Sequence, residues 1–361
     1  MLHPSQFLNN YIYETLRKEA VDAEKMETLT RQQLEIIYAE KYFKIWVPKK
    51  WDGLECTLQQ GLQYIEALAW CDGSVGWTVT LCSGANWFCG FMDEDSAKKI
   101  FTPKTVCLSG SGRAGIATNT QNGFIINGEW QYATGSLHAD YFTINCKINN
   151  NEKDIASFWL KKEEVEIIKN WHTMGMKATA SNSFKVVEKL IPEDRKFIIA
   201  PETAKSNFPV YHFPFLQFAE ATLCVNFSGM ALRFLDLSKP VFTKKETAMT
   251  SERFDVRFLL PLWHSLQTEH NKLRKQFYEI AGQCWQDQLN KNSNENNLSK
   301  LSTISRLLAK NSKELVNTLY PYCGVGAANV DSELNRLWRD LHTAGQHSLL
   351  NYELSSLKTL P

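Results

Sequence analysis

Hydroxyl and aromatic side chains that could line a binding site occur in two short stretches near the middle of the chain. The first stretch is 128–139 and the second is 171–182. Hydroxyl groups and backbone amides, such as that of Gly135, can stabilise charge that develops on a bound ring, and indoles offer flat apolar walls. The candidates for a planar group that changes charge in turnover are Trp130, Thr134, Gly135, Ser136, Trp171, Thr179 and Ser181.

The same residue types have a plainer interpretation. Thr and Ser are frequent in strands and turns, and both tryptophans could simply fill a core. These patterns alone leave the binding site and the structural role as two open alternatives.

A third stretch carries cationic and titratable groups. Arg336, Arg339 and Asp340 fall on one side of a helix, because residues three and four apart are neighbours on its surface. An arginine there could bind a cofactor phosphate or a partner subunit, and an ion-pair network at a helix contact is the alternative. His347, seven residues after Asp340, returns to nearly the same face.

A neutral imidazole suits proton transfer or positioning at ordinary pH, so His347 is a candidate catalytic residue. A surface or interface histidine is the alternative.

The elements that must position these residues change character twice along the chain. Apolar positions have helical spacing before Pro103, β-branched and aromatic runs follow from 106 to 189, and helical spacing returns from about Pro214. Asn122-Gly123 and Asn127-Gly128 predict hairpin turns on both sides of a short strand. The order all-α, all-β, all-α favours segregated domains over a βαβ sheet.

We therefore expect a multidomain α+β fold. Its parts are an N-terminal helical domain (1–104), a central antiparallel β-barrel or sandwich (105–212) and a C-terminal bundle of four-helix type (213–361). The C-terminal helices are predicted at 216–234, 253–288, 301–319 and 332–352, with 290–297 as an exposed loop. A flat ring such as a flavin would lie where the β domain meets the bundle.

Composition excludes several other classes of protein. The chain has 361 residues, with 40 basic and 39 acidic side chains and a formal net charge of +1, so it shows no electrostatic footprint for nucleic acid or an anionic membrane. Its nine cysteines form no CxxC pair or Cys/His cluster, which predicts neither a metal site nor a disulfide framework. We expect a cytoplasmic protein without a secretory signal or a transmembrane helix.

Several stretches in fixed order resemble the acyl-CoA dehydrogenase superfamily, and the resemblance covers nearly the whole chain. They are Val47 to Gly53, Glu66 to Ala69, Asp72 to Trp77, Gly128 to Gly135, Trp171 to Asn182, and Gly324 to Gly326 with Arg336 to Asp340. The resemblance implies the corresponding three-part fold and a flavin, FAD or FMN, against the candidate residues above. It also implies a pocket beside the flavin at Ser109 and Ser111, for which an ordinary Gly/Ser loop is the alternative.

Two features separate the chain from the dehydrogenases of that family. Their glutamate base often lies about two helical turns beyond the Arg-Asp pair, whereas here no carboxylate follows Asp340 before Glu353. The spacing to His347, and His138 in the first stretch, resemble the flavin-dependent two-component aromatic hydroxylases. Ala85 occupies a position that often holds a histidine in those enzymes, so the pocket is not a standard phenol site.

The expected function is that of a flavin-dependent oxidoreductase, in which reduced flavin and oxygen hydroxylate a small organic substrate. His347, Ser109 and Ser111 are its candidate catalytic residues. A dehydrogenase of CoA thioesters with its base elsewhere, and a degenerate relative kept for binding or assembly, are the alternatives. The resemblance further implies a separate flavin reductase and a homodimer or homotetramer, with no nucleic-acid or membrane partner.

Overall fold

The computed structural model describes residues 2–248, 255–292 and 294–351. The start of the helix predicted at 253–288, the end of the one predicted at 332–352, and Glu353 lie outside these ranges. Five helices precede the strands, and the sequence pattern predicted this order. They are α1 (Asn10–Met26), α2 (Arg31–Ala39), α3 (Leu58–Cys71), α4 (Gly73–Trp87) and α5 (Glu94–Phe101).

Side-chain caps determine where these helices begin. Thr30 and Thr57 form capping boxes with the glutamines three residues later, at the starts of α2 and α3. Asp72 is extended (φ −158°), which ends α3, and its carboxylate accepts the amide of Val75 to begin α4. A buried carboxylate therefore lies at the α3–α4 junction.

Seven strands form one mixed sheet. They are β1 (Leu108–Thr120), β2 (Gly123–Ala133), β3 (Tyr141–Ile148), β4 (Ile155–Lys161), β5 (Glu166–Ile168), β6 (Asn182–Ile191) and β7 (Lys196–Phe197). Their order is β5-β6-β2-β1-β3-β4-β7. The expected sheet was antiparallel, but β1 and β3 pair in parallel. The chain reverses after β1 and again after β2, so β3 runs in the direction of β1 and pairs with the edge of β1 that β2 leaves free.

One of the two predicted hairpin turns is wrong. Asn122-Gly123 connects β1 to β2 as expected, but Asn127-Gly128 lies inside β2. Asn127 exchanges hydrogen bonds with Glu188 of β6, and the register shifts between Ile126 and Gly128. The glycine fits a close approach of the Trp130 ring, which a Cβ would meet at 2.8 Å.

The C-terminal helices are α6 (Phe215–Ala248), α7 (Leu259–Leu289), α8 (Glu295–Leu319), α9 (Glu333–Ala344) and α10 (Ser348–Asn351). Two of them, α6 and α8, are longer than predicted, and the helix predicted at 332–352 is divided into α9 and α10. α6 continues through Pro240, and the Asn294 cap starts α8 inside the predicted loop. No helix in the described ranges is long and apolar enough to span a bilayer.

Two hydrophobic cores underlie this arrangement. One is shared by the helices before and after the sheet, and the other lies in the sheet around Phe142, Phe158 and Phe184. The expected helical and β parts are therefore confirmed. The domain boundaries at 104 and 212 stay a proposal, because the two helical parts pack into a common core.

Inside the helical core lies a closed polar cluster. Glu66 of α3 accepts hydrogen bonds from Arg274 and Tyr278 of α7 and from Ser228 of α6. Ser228 also contacts Nε2 of His270 at 3.3 Å, and Nδ1 of His270 lies 3.0 Å from Asn311 of α8. The Ser-His-Asn order is that of a hydrolase triad, but these side chains are buried and bonded to one another. The cluster joins four helices.

Burial of His270 makes stability depend on pH. Burial lowers its pKa from 6.5 to about 4, because the charged ring loses its hydration. The unfolded chain binds this proton near pH 6.5, so the stabilisation is complete above that pH and declines as pH falls towards 4. We expect the free energy of unfolding of the wild type to fall by ~2 kcal/mol from pH 7.5 to pH 5 because of His270.

Urea unfolding followed by circular dichroism at the two pH values measures this effect. His270→Gln should make the decline smaller by that amount. His264→Gln, at an exposed position of the same helix, should leave it unchanged. Equal declines in all three proteins would contradict the prediction.

Candidate functional site

The two central stretches meet and join their hydroxyl groups into one chain. Thr134 lies in the turn after β2, and Thr179 and Ser181 lie in the loop before β6. The Thr134 and Ser181 hydroxyl oxygens are 2.8 Å apart, and those of Ser181 and Thr179 are 2.7 Å apart. Thr179 donates onward to the Met176 carbonyl at 2.8 Å. We call Thr134, Ser181 and Thr179 the hydroxyl chain.

The direction of the hydroxyl chain follows from proton counting. Thr179 has one hydroxyl proton and donates it to Met176, so Ser181 must donate to Thr179 and Thr134 must donate to Ser181. All three protons point away from Thr134. Its oxygen therefore keeps lone pairs to accept a further hydrogen bond, which reverses the donor role expected from the sequence.

Five of the predicted contact side chains are buried, including those of Thr134 (4% exposed) and Ser181 (3% exposed). Ser136 and Thr179 are fully buried, and Ser136 donates to the Ala180 carbonyl at 2.7 Å. Trp130 is fully buried in the sheet core, stacked on Phe184 with ring centroids 5.4 Å apart. These side chains lie behind the exposed surface, and their contact with a ligand stays a prediction.

Gly135 is closely packed between the sheet and α4. Its φ of +75° suits glycine, and a Cβ there would meet the Cys82 sulfur at 2.6 Å. Cys82 contacts Cys107, and both thiols are buried, which raises the pKa of Cys107 well above its usual value. The turn that carries Thr134 is thus held against α4.

The open part of the site is aromatic. Tyr132 is 63% exposed, Met174 is 48% exposed and Trp171 is partly buried. The rings of Tyr132 and Trp171 meet edge to face at 6.3 Å. We call these three side chains the open aromatic face. Trp171 was a predicted wall residue. Tyr132 was not predicted, although it lies in the first stretch.

The backbone holds Tyr132 outward at some cost. Its φ of +64° is left-handed, which is rare for a bulky aromatic residue. The register between β2 and β6 shifts from Trp130 to Ala133, so Tyr132 stands at a bulge. Strain of this kind is typical of functional sites, because the surrounding structure must maintain it.

The two predicted serines of β1 differ in their accessibility. Ser109 is buried and donates to the Thr134 carbonyl at 2.7 Å. Ser111 is partly exposed and donates to the carbonyl of Gln131, the residue before Tyr132. Next to it, Gly112 faces open space. Ser109 therefore supports the turn, and Ser111 lies beside the open aromatic face.

At Gly175 the second stretch touches α9 directly. A Cβ there would lie 2.2 Å from backbone atoms of Arg339, so no flat ring fits between the β domain and α9 at this point. Thr343 lies 3.1 Å from the Gly175 amide, and Asp340 accepts the amide of Met176. At this point the protein's own backbone occupies the place where the strands meet the bundle.

Both arginines of the third stretch are engaged inside the protein. Arg336 is buried with its Nε 3.5 Å from Asp72. Arg339 pairs with Glu24 of α1 and donates to the Met174 carbonyl at 2.6 Å. The ion-pair network, which the sequence left open as an alternative, is what the structure contains. A phosphate-binding role would require these pairs to break.

His347 lies against α4. The centroids of its ring and the Trp77 ring are 5.9 Å apart. The next residue of α4, Thr78, packs near Gly135. Burial lowers its pKa below 6.5, so the ring is neutral at pH 7. The Leu349 amide points to Nδ1 at 3.4 Å, which makes Nδ1 the acceptor and assigns the ring proton to Nε2.

His138 has a structural contact instead. Its Nε2 lies 2.9 Å from the hydroxyl of Thr28, which follows α1, and burial lowers its pKa to about 4. Across the described ranges no three His, Cys, Asp or Glu side chains group as metal ligands.

The donor set and the open face fit a flavin. A flat ring needs an exposed aromatic surface to stack on, which Tyr132 supplies, with Trp171 edge to face beside it. Reduced flavin carries an N–H at its central ring, and the Thr134 oxygen has lone pairs available to accept one. The residues fit a ring laid on the open aromatic face, and they do not fit one buried against Trp130.

Comparison with known proteins agrees with this geometry. Residues 266–352 match the family model "Acyl-CoA dehydrogenase, C-terminal domain". The chain is 24% identical over 227 residues to the flavin-dependent monooxygenase oxygenase subunit HsaA of Mycobacterium tuberculosis, which covers 60% of this chain and 58% of the relative. The alignment thus spans less than two thirds of that relative's length.

One relative aligns over most of the chain, and two solved structures share its fold. The oxygenase component of p-hydroxyphenylacetate 3-hydroxylase from Acinetobacter baumannii is 23% identical over 361 residues, covering 95% of this chain and 85% of the relative. The crystal structure of M. tuberculosis HsaA has a TM-score of 0.88 at 19% identity and covers 95% of this chain and 93% of that one. XiaF from Streptomyces sp., in complex with FADH2 and glycerol, has a TM-score of 0.85 at 18% identity and covers 94% and 90%.

Proposed function

We propose that the chain is a flavin-dependent oxygenase, similar to the flavin-dependent monooxygenases of the acyl-CoA dehydrogenase-like superfamily. In this proposal it binds reduced FAD or FMN and hydroxylates a small organic substrate with molecular oxygen. The chemistry of the relatives it matches supports the proposal. Those relatives are named monooxygenases or hydroxylases, and one related structure holds FADH2.

The observation that carries the proposal is the open aromatic face. An exposed tyrosine held at φ +64° against a partly exposed tryptophan has no evident packing role in the β domain. A flat tricyclic ring stacked there would use the exposed aromatic area. A purely structural turn would be expected to hold a small or polar residue at this position.

The residues of the site have distinct roles in this mechanism. When bound, the reduced flavin would supply the electrons that activate oxygen. Tyr132 would hold the ring by stacking, and Trp171, whose plane is turned by 76° from that of Tyr132, would meet its edge. Thr134 would accept from a ring N–H, and the hydroxyl chain fixes that acceptor by directing its proton inward. His347 offers its Nε2–H to an oxygen atom of the substrate.

Two partners belong to the same proposal. A separate flavin reductase would supply the reduced cofactor, as the name "oxygenase component" of the A. baumannii relative suggests for that system. A homodimer or homotetramer remains an expectation from the family resemblance, and light scattering of the purified protein measures it.

An anaerobic titration followed by exposure to oxygen tests the function. The purified protein is titrated with chemically reduced FAD and FMN, and binding is followed by equilibrium dialysis. The complex is then mixed with ¹⁸O₂ and a panel of aromatic compounds. Incorporation of one labelled oxygen atom into an aromatic product supports the proposal. If neither reduced FAD nor reduced FMN binds, the proposal is contradicted.

Removing the exposed ring should weaken flavin binding without unfolding the protein. We expect Tyr132→Ala to raise the Kd for the reduced flavin about tenfold, since stacking on one aromatic ring contributes roughly 1–3 kcal/mol. The free energy of unfolding should change by under ~1 kcal/mol, because the side chain is largely exposed. Calorimetry under anaerobic conditions and urea unfolding measure the two effects.

Tyr11→Ala is the matched control. Tyr11 lies on α1 and is 66% exposed, close to the exposure of Tyr132. Its replacement should change neither quantity. An unchanged Kd in Tyr132→Ala would exclude the open aromatic face as the flavin platform.

A further inference from the structure

Three side chains of α9 hold three successive residues of the second stretch. Arg339 donates to the Met174 carbonyl, the Thr343 hydroxyl accepts the Gly175 amide, and Asp340 accepts the Met176 amide. We call Arg339, Asp340 and Thr343 the α9 clamp. It attaches the loop that begins at Trp171 to α9.

Met176 connects the clamp to the rest of the site. Its carbonyl accepts the Trp171 indole N–H at 2.9 Å and the Thr179 hydroxyl at 2.8 Å. Trp171 belongs to the open aromatic face, and Thr179 is the end of the hydroxyl chain. The position of Met176 therefore determines both the indole and the chain that leads to Thr134.

Asp340 differs from the other members of the clamp because its charge is not balanced. Its side chain is buried, Oδ2 has no hydrogen-bond partner, and a Cβ at Gly73 would lie 3.0 Å from that oxygen. The charged and titratable groups around it on the packed elements are Glu24 on α1, Asp72 before α4, Lys177 within the second stretch, Arg233 on α6, and Glu333, Arg336, Arg339 and His342 on α9.

None of the ion pairs among the described residues includes Asp340. Arg339 pairs with Glu24, Arg233 pairs with Glu333, and Arg336 lies at Asp72. A second buried negative charge beside Asp72 is unfavourable. Desolvation, and after it the charge of Asp72, raise the pKa of Asp340 from 3.8 to about 7.

We propose that Asp340 is a proton-sensitive positioning residue, which holds the Trp171–Met176 segment closed when its carboxyl is protonated and releases it when the proton is lost. When the segment opens, water reaches the carboxyl and favours its ionised form. Loss of the proton thus favours the open state, and the segment loosens as pH rises through neutrality. The consequence for the flavin platform rests on the proposed function.

Hydrogen exchange of the flavin-free protein tests the inference. The Met176 amide is followed by mass spectrometry or NMR at pH 6 and pH 8, and each rate is divided by the intrinsic exchange rate at that pH. We expect protection in the wild type to be about tenfold lower at pH 8 than at pH 6, since opening gains up to a factor of ten per pH unit below the closed-state pKa of about 7 and levels off above it.

Asp340→Asn is the decisive variant. The amide has the shape of the protonated acid and carries no charge, so the variant should fold and keep the protection of the wild type at pH 6 at both pH values. Thr343→Val removes a neighbouring clamp bond without removing the titrating group. It should lower protection but retain the tenfold pH effect.

Two results would overturn the inference: a wild type whose protection does not change with pH, or an Asp340→Asn variant that keeps the pH effect. The first needs no variant to fold. The Kd for reduced flavin should rise with pH in the wild type and stay constant in Asp340→Asn. If exchange behaves as expected but no flavin binds, the proposed function fails while the positioning role of Asp340 stands.

Discussion

Replacement of Glu66 by alanine should lower the free energy of unfolding by about 3–5 kcal/mol. The Glu66 carboxylate is buried and accepts two hydrogen bonds of 2.7 Å from Arg274, together with bonds from Tyr278 and Ser228. Without it, the Arg274 guanidinium stays buried with no counter-charge. Chemical unfolding followed by far-UV circular dichroism measures the loss.

An exposed ion pair provides the comparison. Glu35 pairs with Arg31 across one turn of α2 at 2.8 Å, and both side chains are largely exposed. Glu35→Ala should cost no more than ~0.5 kcal/mol, because water screens the pair. If Glu66→Ala and Glu35→Ala cost the same, the closed polar cluster does not stabilise the contact between α3 and α7.

Local chemistry made the order of elements predictable. Helical spacing, the Thr30 and Thr57 capping boxes and the Asn122-Gly123 turn all act within a few residues, so they are visible in the sequence. Asn127-Gly128 has the same local signal, but its pairing with Glu188 of β6 overrides it. A turn signal can thus be cancelled by a partner about 60 residues away.

The contact between the two central stretches could be predicted from the sequence, but the exposed face beside it could not. Strand alternation places Trp130 and Tyr132 on the same side, whereas the structure buries the first and exposes the second. The register shift after Trp130 and the left-handed backbone of Tyr132 cause this difference. Neither feature has a sequence signature in this stretch, because no glycine or asparagine marks the left-handed residue.

The ion-pair partners of the third stretch could not be predicted from the sequence either. The Arg-Asp stretch showed that Arg336 and Asp340 share a helix face, but Asp72 lies more than 260 residues earlier in the chain. Only the packing of α4 against α9 brings them together. The burial of Asp340 beside Asp72, without an ion pair of its own, follows from that tertiary contact.

The largest expected effect on activity concerns His347. We expect His347→Ala to lower the turnover of the proposed hydroxylation about 100-fold, which is the lower end for loss of a positioned proton donor or acceptor. The neutral ring accepts the Leu349 amide at Nδ1, so its Nε2–H is the group available to a substrate oxygen. Single-turnover product formation with reduced flavin and the aromatic substrate found in the panel measures the rate.

The pH profile and a neighbouring histidine separate this role from a structural one. Since the pKa of His347 lies below 6.5, its ring gains a proton only as pH falls through that lowered value. Turnover in the wild type should not change through this group between pH 6.5 and 8.

His342→Ala removes a ring that packs against Trp338 of the same helix and should leave turnover within about twofold. His347→Gln retains an N–H donor and should recover part of the rate. A His347→Ala variant as active as His342→Ala would place proton donation elsewhere, with Ser111 beside the open aromatic face as the remaining accessible candidate.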